Sequence, residues 1–496
     1  MSRDILRGDR LKRLAPESIE YTASTSFDGI LVKPVVKINM AHMAMLINQG
    51  VVSRAQGSLC LKGLRETPET LQLDPALEDV HMNVEAFLVK KIGGNAGGQL
   101  NLAKSRNDQV ATAIRMALRE YQVNIVSELA DLRKTILDRV GEHITTLMPG
   151  YTHLQHAQPT TLAHHLIAYQ DALQRDSKRL IEAYSRVNLS PLGAVALAST
   201  SVKINRELTR KLLGFDGLVE NSIDAVSSRD FAIEVISDLA LAMTNLSKIA
   251  EEMVLWSSSE FGAMEISDGY ASTSSVMPQK KNAVVAELIR GKTSTVYGDL
   301  MASISMTKAL PYSYNIDLQQ LTPHIWSACS ITFTSIQVLK GMLQEAVFNK
   351  ERLRKLLEEG AIAATDLADY LAVEHSIPFR TAHTVVGNLV RRSVDEKRAF
   401  RNVILEDLAG AAKDIAGVEV SITPSEVDQI LDPEKSVELR TVDGGPSSIA
   451  VKKMIVNRKK GVKETEEWAS ERRRMLEAAN QDLVKTTDEL IGGEKA

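Results

Sequence analysis

Four long stretches of this chain repeat their apolar residues every three or four positions, and this pattern limits the fold more than any other feature. The clearest stretches run from 162 to 187 and from 231 to 257, and similar ones cover 284–309 and 325–348. Such spacing puts apolar side chains on one side of a helix. Strand-like alternation is scarce, so we predict a mainly α fold with a bundle of long helices at its centre.

Glycine and proline mark the breaks between the helical stretches. Gly93–Gly98 is predicted to form a flexible turn, and Pro149 and Pro159 bracket a non-helical segment around His153. Val418–Ile422 is a candidate strand in a small C-terminal domain. The length of 496 residues suggests roughly two to four domains.

Charge excludes several classes of function. The formal net charge is only −4, with 59 basic and 63 acidic residues, so a general nucleic-acid or membrane-surface role has no support. The basic runs at 458–460 and 472–474 alternate with glutamates, which is typical of a solvated helix face. We therefore expect a small-molecule partner.

Cysteine content and the N-terminus indicate the compartment. Cys60 and Cys329 are too few for a disulfide framework or a zinc cluster. Met1–Asp4 lacks the apolar core of a signal peptide, and no uninterrupted apolar run approaches the length of a membrane span. These features predict a cytoplasmic protein.

The segment Ser274–Asn282 combines hydroxyls, lysines and an amide between two of the long helical patterns. This combination suits removal of a weakly acidic proton next to a carboxylate, where a base acts beside groups that hold the negative charge left behind. Ser274 is a candidate base only if its alkoxide is stabilised, for which Lys280 and main-chain N–H groups are the nearby means. The alternatives are a solvated Ser/Thr linker, a solvated lysine and an N-cap role for Asn282.

Ser274–Asn282 also resembles the signature S-S-x-M-P-x-K-x-N of the fumarase/aspartase superfamily of eliminating enzymes. Its Gln-Lys-Lys-Asn ending is most similar to the argininosuccinate lyase branch. Further segments agree and follow the order of the family: 78–81, 105–112, 150–155, 188–193 and 310–315. The resemblance runs from about residue 24 into the C-terminal domain.

The resemblance implies a three-domain fumarase/aspartase-like fold, with an N-terminal mainly helical domain at 1–111, a long-helix bundle at 112–360 and a small mainly helical C-terminal domain at 361–496. It implies a homotetramer with that bundle as its core. The implied reaction is reversible β-elimination of 2-(Nω-L-arginino)succinate to L-arginine and fumarate, the last step of arginine biosynthesis.

No cofactor and no metal are expected. The family chemistry needs no metal, as the resemblance implies. Four histidines lie close together in sequence, but no nearby Cys or carboxylate completes a usual ligand set with them: His153, His156, His164 and His165.

The resemblance also implies catalytic roles. Ser274 takes the proton from the succinyl carbon, and Lys280 and Asn282 hold the resulting aci-carboxylate. His153 helps to protonate the departing nitrogen, through water, and Glu287 raises the basicity of His153. Without the resemblance, His153 is more simply a structural or exposed histidine, and Glu287 an ordinary exposed residue of a helix.

Six further residues are expected, by position in the family, to contact the substrate: Ser24, Arg106, Asn107, Thr152, Tyr314 and Gln319. Arg106 and Asn107 could otherwise merely cap a helix. The chain departs from the family at Thr322, where many members carry a substrate-binding lysine. This change could weaken carboxylate binding or alter its geometry.

Two alternatives stay open. Another lyase of the superfamily, such as an adenylosuccinate lyase, shares the release of fumarate but needs a purine pocket. A non-catalytic structural oligomer, like the lens crystallins of this family, keeps the fold without the reaction. The joint presence of Ser274, His153, Lys280 and Glu287 argues against the second alternative.

Overall fold

A computed structural model of the protein describes residues 15–358 and 361–492. The expected domain boundary at 360 and the segment Met1–Asp4, for which no signal peptide is expected, lie outside the described residues. The first helices are α1 (Pro16–Thr22), α2 (Val32–Asn48), α3 (Arg54–Arg65), α4 (Val80–Ile92) and α5 (Gly94–Gly97). The helices from α2 to α5 pack on one another, and α2 also packs on the centre of the molecule.

A bundle of long helices forms the centre of the molecule. Five long helices and two short ones follow in chain order: α6 (Arg106–Glu142), α7 (Leu162–Val187), α8 (Arg206–Leu212), α9 (Ser222–Ser227), α10 (Asp230–Trp256), α11 (Val284–Thr307) and α12 (Leu321–Glu345). α10 packs on α11 and α7, and α6 packs on α7 and α12. The prediction of a mainly α fold with a central long-helix bundle is confirmed.

Apolar stripes explain why these helices pack. The buried positions of α10 recur every three or four residues and include Val235, Leu239, Met243, Leu246, Ile249 and Met253. They belong to one continuous hydrophobic core that reaches from Leu31 to Leu483. Burying each such side chain contributes roughly 1.5–3 kcal/mol, so the stripes hold the bundle together.

Successive long helices run in opposite directions, which gives the bundle two ends. At the first end, Arg115 near the start of α6 donates a hydrogen bond to the Val187 carbonyl at the end of α7 (3.2 Å). At the second end, Arg139 near the end of α6 donates to the Ala346 carbonyl just after α12 (2.6 Å). At a rise of 1.5 Å per residue, the 24 residues of α11 separate the two ends by about 35 Å.

Seven helices of the described chain follow the bundle, and they include a smaller helical unit and a last long helix that packs back on the bundle. They are α13 (Lys350–Glu358), α14 (Ala364–Glu374), α15 (Phe379–Asp395), α16 (Phe400–Ala416), α17 (Pro424–Leu431), α18 (Pro433–Glu438) and α19 (Ser448–Gly492). A second hydrophobic core, with Leu371, Val385 and Leu408 buried in it, lies among α14, α15, α16 and α17. α19 instead lies along α6 and α7. The domain boundaries expected at 111 and 360 stay predictions.

Strands are short and connect helices. In the described part of the chain they are β1 (Leu147–Thr152), β2 (Gln155–Thr161), β3 (Leu189–Ser190), β4 (Gly217–Leu218), β5 (Met264–Glu265), β6 (Ser272–Thr273), β7 (Lys281–Asn282) and β8 (Val347–Phe348). β1 pairs with β2, β5 with β8 and β6 with β7, all antiparallel, whereas β3 and β4 are parallel.

The predicted flexible turn at Gly93–Gly98 is wrong. Gly94–Gly97 forms the single helical turn α5, and Ala96 and Gly97 are buried. An added Cβ on Gly97 would lie 2.7 Å from Val89 Cγ2, so the glycine permits close packing on α4. Packing of small residues therefore orders a segment whose composition suggests freedom.

The predicted strand at Val418–Ile422 is also wrong, because this segment has no strand partner within residues 15–358 and 361–492. Its alternation is nevertheless real. Val420 is buried in the second core, where Val418 and Ile422 pack at its edge. The apolar residues face helices instead of a second strand.

One helical stretch, Gly29–Asn48, is long and apolar enough to cross a membrane when judged by length and composition alone. Lys33 and Lys37 interrupt it, and 72% of its most apolar window is buried inside the fold. Met43 and Leu46 belong to the main hydrophobic core. Packing against neighbouring helices therefore accounts for its apolar character.

Candidate active site

A cavity of about 410 Å³ lies at the first end of the bundle, where α6 and α12 begin. It is lined by five of the six residues expected to bind substrate: Ser24, Arg106, Asn107, Tyr314 and Gln319. Thr322, which stands at the position of the family's lysine, is part of the same wall and is 3% exposed. We call this space the substrate cavity.

A buried carboxyl group, Asp28, supports Ser24 in the substrate cavity. The Ser24 hydroxyl donates a hydrogen bond to Asp28 Oδ2 (2.6 Å), and the Val80 N–H donates to the same oxygen (3.1 Å). Burial raises the pKa of Asp28 to about 6, although both hydrogen bonds oppose the rise. Asp28 is not among the residues expected from the sequence. Its signal there is a carboxylate four residues after Ser24, just before an apolar helix.

The start of α6 fixes Arg106 and Asn107. Ser105 is the N-cap of α6, and its hydroxyl accepts a hydrogen bond from the Asn107 N–H (3.5 Å). The Arg106 guanidinium forms an ion pair with Asp79, and Asn107 Nδ2 donates to the Ala196 carbonyl (3.0 Å). Capping therefore falls to Ser105, and the side chains of Arg106 and Asn107 line the cavity.

Asp108 ties the start of α6 to the loop that contacts Asn107. Its Oδ1 accepts from the Ser105 N–H (3.0 Å), and its Oδ2 accepts from the N–H groups of Gly193 (3.0 Å) and Val195 (2.8 Å). Burial raises the pKa of Asp108 to about 6, against the lowering effect of these three hydrogen bonds. One buried carboxyl group thus holds three backbone donors beside the cavity.

Tyr314 and Gln319 lie on the connection between α11 and α12. Gln319 Nε2 donates a hydrogen bond to the Thr22 carbonyl (3.0 Å), which joins this connection to the N-terminal helices. Burial raises the pKa of the half-buried Tyr314 hydroxyl, while the positive charge of Arg229 acts in the opposite direction. The cavity is therefore closed by three separate parts of the chain.

His153 lies at the second end of the bundle, in the two-residue turn between β1 and β2. Thr152 pairs with Gln155, and the turn residues His153 and Leu154 have φ of 56° and 59°. Two positive φ values characterise a type I′ hairpin turn, which normally selects asparagine or glycine. A histidine in this conformation costs on the order of 1–2 kcal/mol, and such strained residues cluster at functional sites. The turn leaves the His153 and Thr152 side chains exposed.

Ser274 also lies at the second end, in the segment between β6 and β7. Its Oγ accepts hydrogen bonds from the N–H groups of Val276 (3.2 Å) and Met277 (3.0 Å). Main-chain donors that converge on a hydroxyl oxygen lower the free energy of its alkoxide. This geometry suits a serine that acts as a base.

Lys280 and Asn282 follow Ser274 at the same end. Lys280 is exposed, whereas the neighbouring Lys281 forms an ion pair with Asp268 (2.7 Å). Asn282 lies in β7, and Ala283 takes the N-cap position of α11. The N-cap interpretation of Asn282 is therefore wrong, because Asn282 pairs with Ser272 between β7 and β6 and the N-cap is the next residue, Ala283.

Glu287 lies in the first turn of α11 and is exposed. Within one chain it has no ion-pair partner among the described residues, and the predicted pair with His153 is not formed there.

The expected site residues therefore fall into two groups within one chain. The substrate cavity holds five of them at the first end, and the second end holds Thr152, His153, Ser274, Lys280, Asn282 and Glu287. Twenty residues of α11, about 30 Å, separate Glu287 from the end of the helix near Tyr314. One chain alone does not bring the candidate base to the cavity.

Comparison with known proteins gives a consistent assignment. Residues 17–298 match the family model described as Lyase, and residues 361–438 match the model described as Argininosuccinate lyase C-terminal. A crystal structure of an EDDS lyase in complex with formate has the same fold, with a TM-score of 0.87, 29% identity and 97% of each chain covered.

Two relatives match over nearly the whole chain. An argininosuccinate lyase of Methanocaldococcus jannaschii is 45% identical over 457 residues, which covers 91% of this chain and 93% of the relative. An argininosuccinate lyase of Methanothrix thermoacetophila is 44% identical over 491 residues, which covers 98% of this chain and 99% of the relative. The chain belongs to the argininosuccinate lyase family, within the fumarase/aspartase superfamily.

Proposed function

We propose that this protein, a carbon–nitrogen lyase, catalyses the reversible β-elimination of argininosuccinate to L-arginine and fumarate, the last step of arginine biosynthesis. The observation that carries the proposal is 45% identity, over 91% of the chain, to a protein named argininosuccinate lyase. The meeting of Ser24, Arg106, Asn107, Tyr314 and Gln319 in one cavity supports it.

The first step is removal of a proton from the succinyl carbon next to a carboxylate. Ser274 takes this proton on Oγ, because the N–H groups of Val276 and Met277 stabilise its alkoxide beforehand. The electron pair left on carbon spreads into the carboxylate and gives an aci-carboxylate. Lys280 and Asn282 hold the added negative charge with a cation and an amide donor.

The second step breaks the carbon–nitrogen bond. The electron pair of the aci-carboxylate forms the double bond of fumarate, and the guanidino nitrogen leaves with the bonding pair. His153 delivers a proton to that nitrogen through water, so that L-arginine departs. Glu287 raises the basicity of His153 when the two residues meet.

We propose a homotetramer as the active form, because the reaction needs groups from both ends of the bundle. α11 exposes a stripe of large apolar side chains in its second half, at Tyr297, Met301 and Ile304, and Met301 is 65% exposed. An exposed apolar stripe of this kind is typical of an interface. Antiparallel packing of two copies along α11 would bury the stripe and place the second end of one copy beside the substrate cavity of the other.

The proposed reaction uses neither a metal nor a cofactor. Two of the histidines considered as ligands have protein partners: His165 Nε2 lies 2.8 Å from Glu252 Oε2, and His164 Nε2 lies 2.9 Å from the Gly444 carbonyl. The proposed partners are argininosuccinate, L-arginine and fumarate, with no nucleic acid and no membrane. We also propose a cytoplasmic location, since Cys60 and Cys329 are free, buried thiols.

Fumarate formation, followed by ultraviolet absorbance, tests the proposed reaction. The purified protein should release fumarate from argininosuccinate and be much slower with adenylosuccinate or EDDS. Ser274→Ala should keep the assembled size and lose turnover, which separates an enzyme from a structural oligomer of the crystallin type. Release of fumarate from adenylosuccinate alone would overturn the substrate assignment.

A further inference from the structure

Arg229 is enclosed in the fold beside the substrate cavity, and three of its five N–H donors have no acceptor within the described residues. The side chain is 2% exposed. Nη1 donates to the carbonyls of Ser228 (2.8 Å) and Val226 (3.3 Å), whereas Nε and Nη2 have no acceptor within the described residues. No carboxylate of the described chain forms an ion pair with it. A buried cation without a counter-charge is costly.

The position of Arg229 connects it to Tyr314. Arg229 is the N-cap residue of α10 and lines a second cavity of about 370 Å³ together with Tyr312, Ser313 and Asn315. Tyr314, in the middle of this segment, instead lines the substrate cavity. The segment from 312 to 315 is therefore a wall with the substrate cavity on one side and Arg229 on the other.

The charge interactions of Arg229 agree with this geometry. Burial lowers the pKa of Arg229 to about 10, and the charge of Tyr314 acts in the opposite direction. The positive charges of Arg229 and Arg115 also repel each other, whereas Asp224 and Asp230, which line the second cavity, are exposed and act on Arg115. The enclosed positive charge of Arg229 therefore lies within electrostatic range of the phenol.

Among the described residues of one chain, the lining of the substrate cavity has no unpaired arginine or lysine for the carboxylates of the proposed substrate. Thr322 replaces the family's lysine, and Arg106 is paired with Asp79. Asp28 and Glu78 add further acidic groups to the lining. A carboxylate that binds at the Tyr314 side of the cavity needs a donor backed by positive charge.

We propose that Arg229 is a positioning residue that acts through Tyr314: its charge, on the far side of the segment from 312 to 315, makes the Tyr314 hydroxyl a stronger donor to a substrate carboxylate. In this way Arg229 takes over the electrostatic task of the lysine that is missing at position 322. The inference rests on the proposed function, since it concerns argininosuccinate in the substrate cavity.

Arg229→Gln tests the inference against a matched control, Arg133→Gln. Arg133 is equally enclosed, at 0% exposure, but contacts Gln170, Ser177 and Thr465 within the bundle. Arg229→Gln should raise KM for argininosuccinate about 10- to 100-fold with a smaller change in kcat, because a hydrogen bond to a charged group is weakened. Arg133→Gln should lower the melting temperature and leave KM within about twofold of wild type.

A lysine at position 322 separates an electrostatic role from a structural one. In the double variant Arg229→Gln/Thr322→Lys, KM should fall by about tenfold or more relative to Arg229→Gln, because the introduced lysine supplies a cation inside the cavity. A lysine at 322 would not restore a purely structural role of Arg229. An Arg229→Gln variant with unchanged KM, or with a raised KM that Thr322→Lys does not lower, would overturn the inference.

A third arm covers the case in which Arg229→Gln does not assemble. Arg229→Lys keeps a positive charge behind the segment from 312 to 315 and should keep KM within about threefold of wild type, whereas Tyr314→Phe removes the hydroxyl on which Arg229 acts and should raise KM about tenfold or more. A tenfold rise in KM for Arg229→Lys, or an unchanged KM for Tyr314→Phe, would contradict the inference. Wild-type turnover of argininosuccinate is measured in the same series, so failure of the proposed function shows separately from failure of the role of Arg229.

Discussion

Replacement of Asp28 by asparagine isolates the charge of the substrate cavity. The exchange is nearly isosteric, because the amide oxygen of the introduced asparagine can take the place of Asp28 Oδ2. It would still accept hydrogen bonds from the Ser24 hydroxyl and the Val80 N–H. What the variant loses is a negative charge, which lies beside Glu78 in the cavity lining. That charge attracts the ammonium and guanidinium groups of argininosuccinate.

The size of the effect follows from the pKa of Asp28, which burial raises to about 6. A carboxyl group with this pKa is about 90% ionised at pH 7 and about 10% ionised at pH 5. Because the ionised cavity is the form that attracts the cationic groups, kcat/KM of the wild type should fall about tenfold between pH 7 and pH 5.

Steady-state release of fumarate across this pH range provides the assay. Asp28→Asn should have a reduced kcat/KM at pH 7 and should lack the inflection near pH 6. An inflection of equal size in both proteins would assign the titration to another group and would refute the role given to Asp28.

Stability offers an independent readout of the same carboxyl group. The folded pKa of about 6 lies above the unfolded value of 3.8, so the folded state binds the proton more tightly. The contribution of Asp28 to the unfolding free energy is fully present below about pH 4. It is lost as the pH rises through about 6, and the loss amounts to roughly 3 kcal/mol. Between pH 4 and pH 7, the unfolding free energy of Asp28→Asn should therefore rise by that amount relative to the wild type. Denaturant unfolding of both proteins at one protein concentration measures this difference. A pH-independent difference would contradict the raised pKa.

Three further substitutions address other parts of the site. Ser274→Ala should lower kcat by about 10²- to 10⁴-fold while fumarate still binds, as measured by calorimetry. His153→Asn, which suits the positive φ of the hairpin turn, should lower kcat by about 10²-fold or more and raise the melting temperature slightly, because it relieves the backbone strain. Asp108→Ala removes the acceptor of three backbone hydrogen bonds and should lower the unfolding free energy by about 2–4 kcal/mol, measured with urea, and raise KM.

The long helices could be predicted because each one satisfies a local rule. The stripe of α10 has the helical period, and Ser105 provides an N-cap for α6. The hairpin around His153 could be predicted only as non-helical. The two residues of its turn, His153 and Leu154, have positive φ although neither is a residue that such a turn normally selects. The surrounding structure must therefore impose the conformation.

The site could be predicted where the family signature carries it. Ser274 and the binding residues follow from matched motifs, and five of those binding residues do line one cavity. Asp28 and Arg229 have no such motif. Their roles depend on burial and on charges from distant parts of the chain, which spacing along the sequence does not reveal.

The proposed pairing of His153 with Glu287 shows a different limit. Both residues lie at the second end of the bundle and are exposed within one chain. In the proposed oligomer, whether they meet depends on how copies of the chain pack, and we propose that the exposed face of α11 forms the contact. A contact between two copies of a chain depends on the symmetry of the oligomer, which the spacing of residues within one chain does not reveal.

Hybrid oligomers test most directly whether the active site is shared between chains. Ser274→Ala removes the proposed base at the second end, and Asn107→Ala removes a donor at the first end, so each parent oligomer should be strongly impaired. When the two chains are coexpressed in equal amounts with different tags, the hybrids should regain roughly a quarter of wild-type activity, because about one site in four combines intact residues from two chains. Hybrids no more active than the two parents would contradict a shared site.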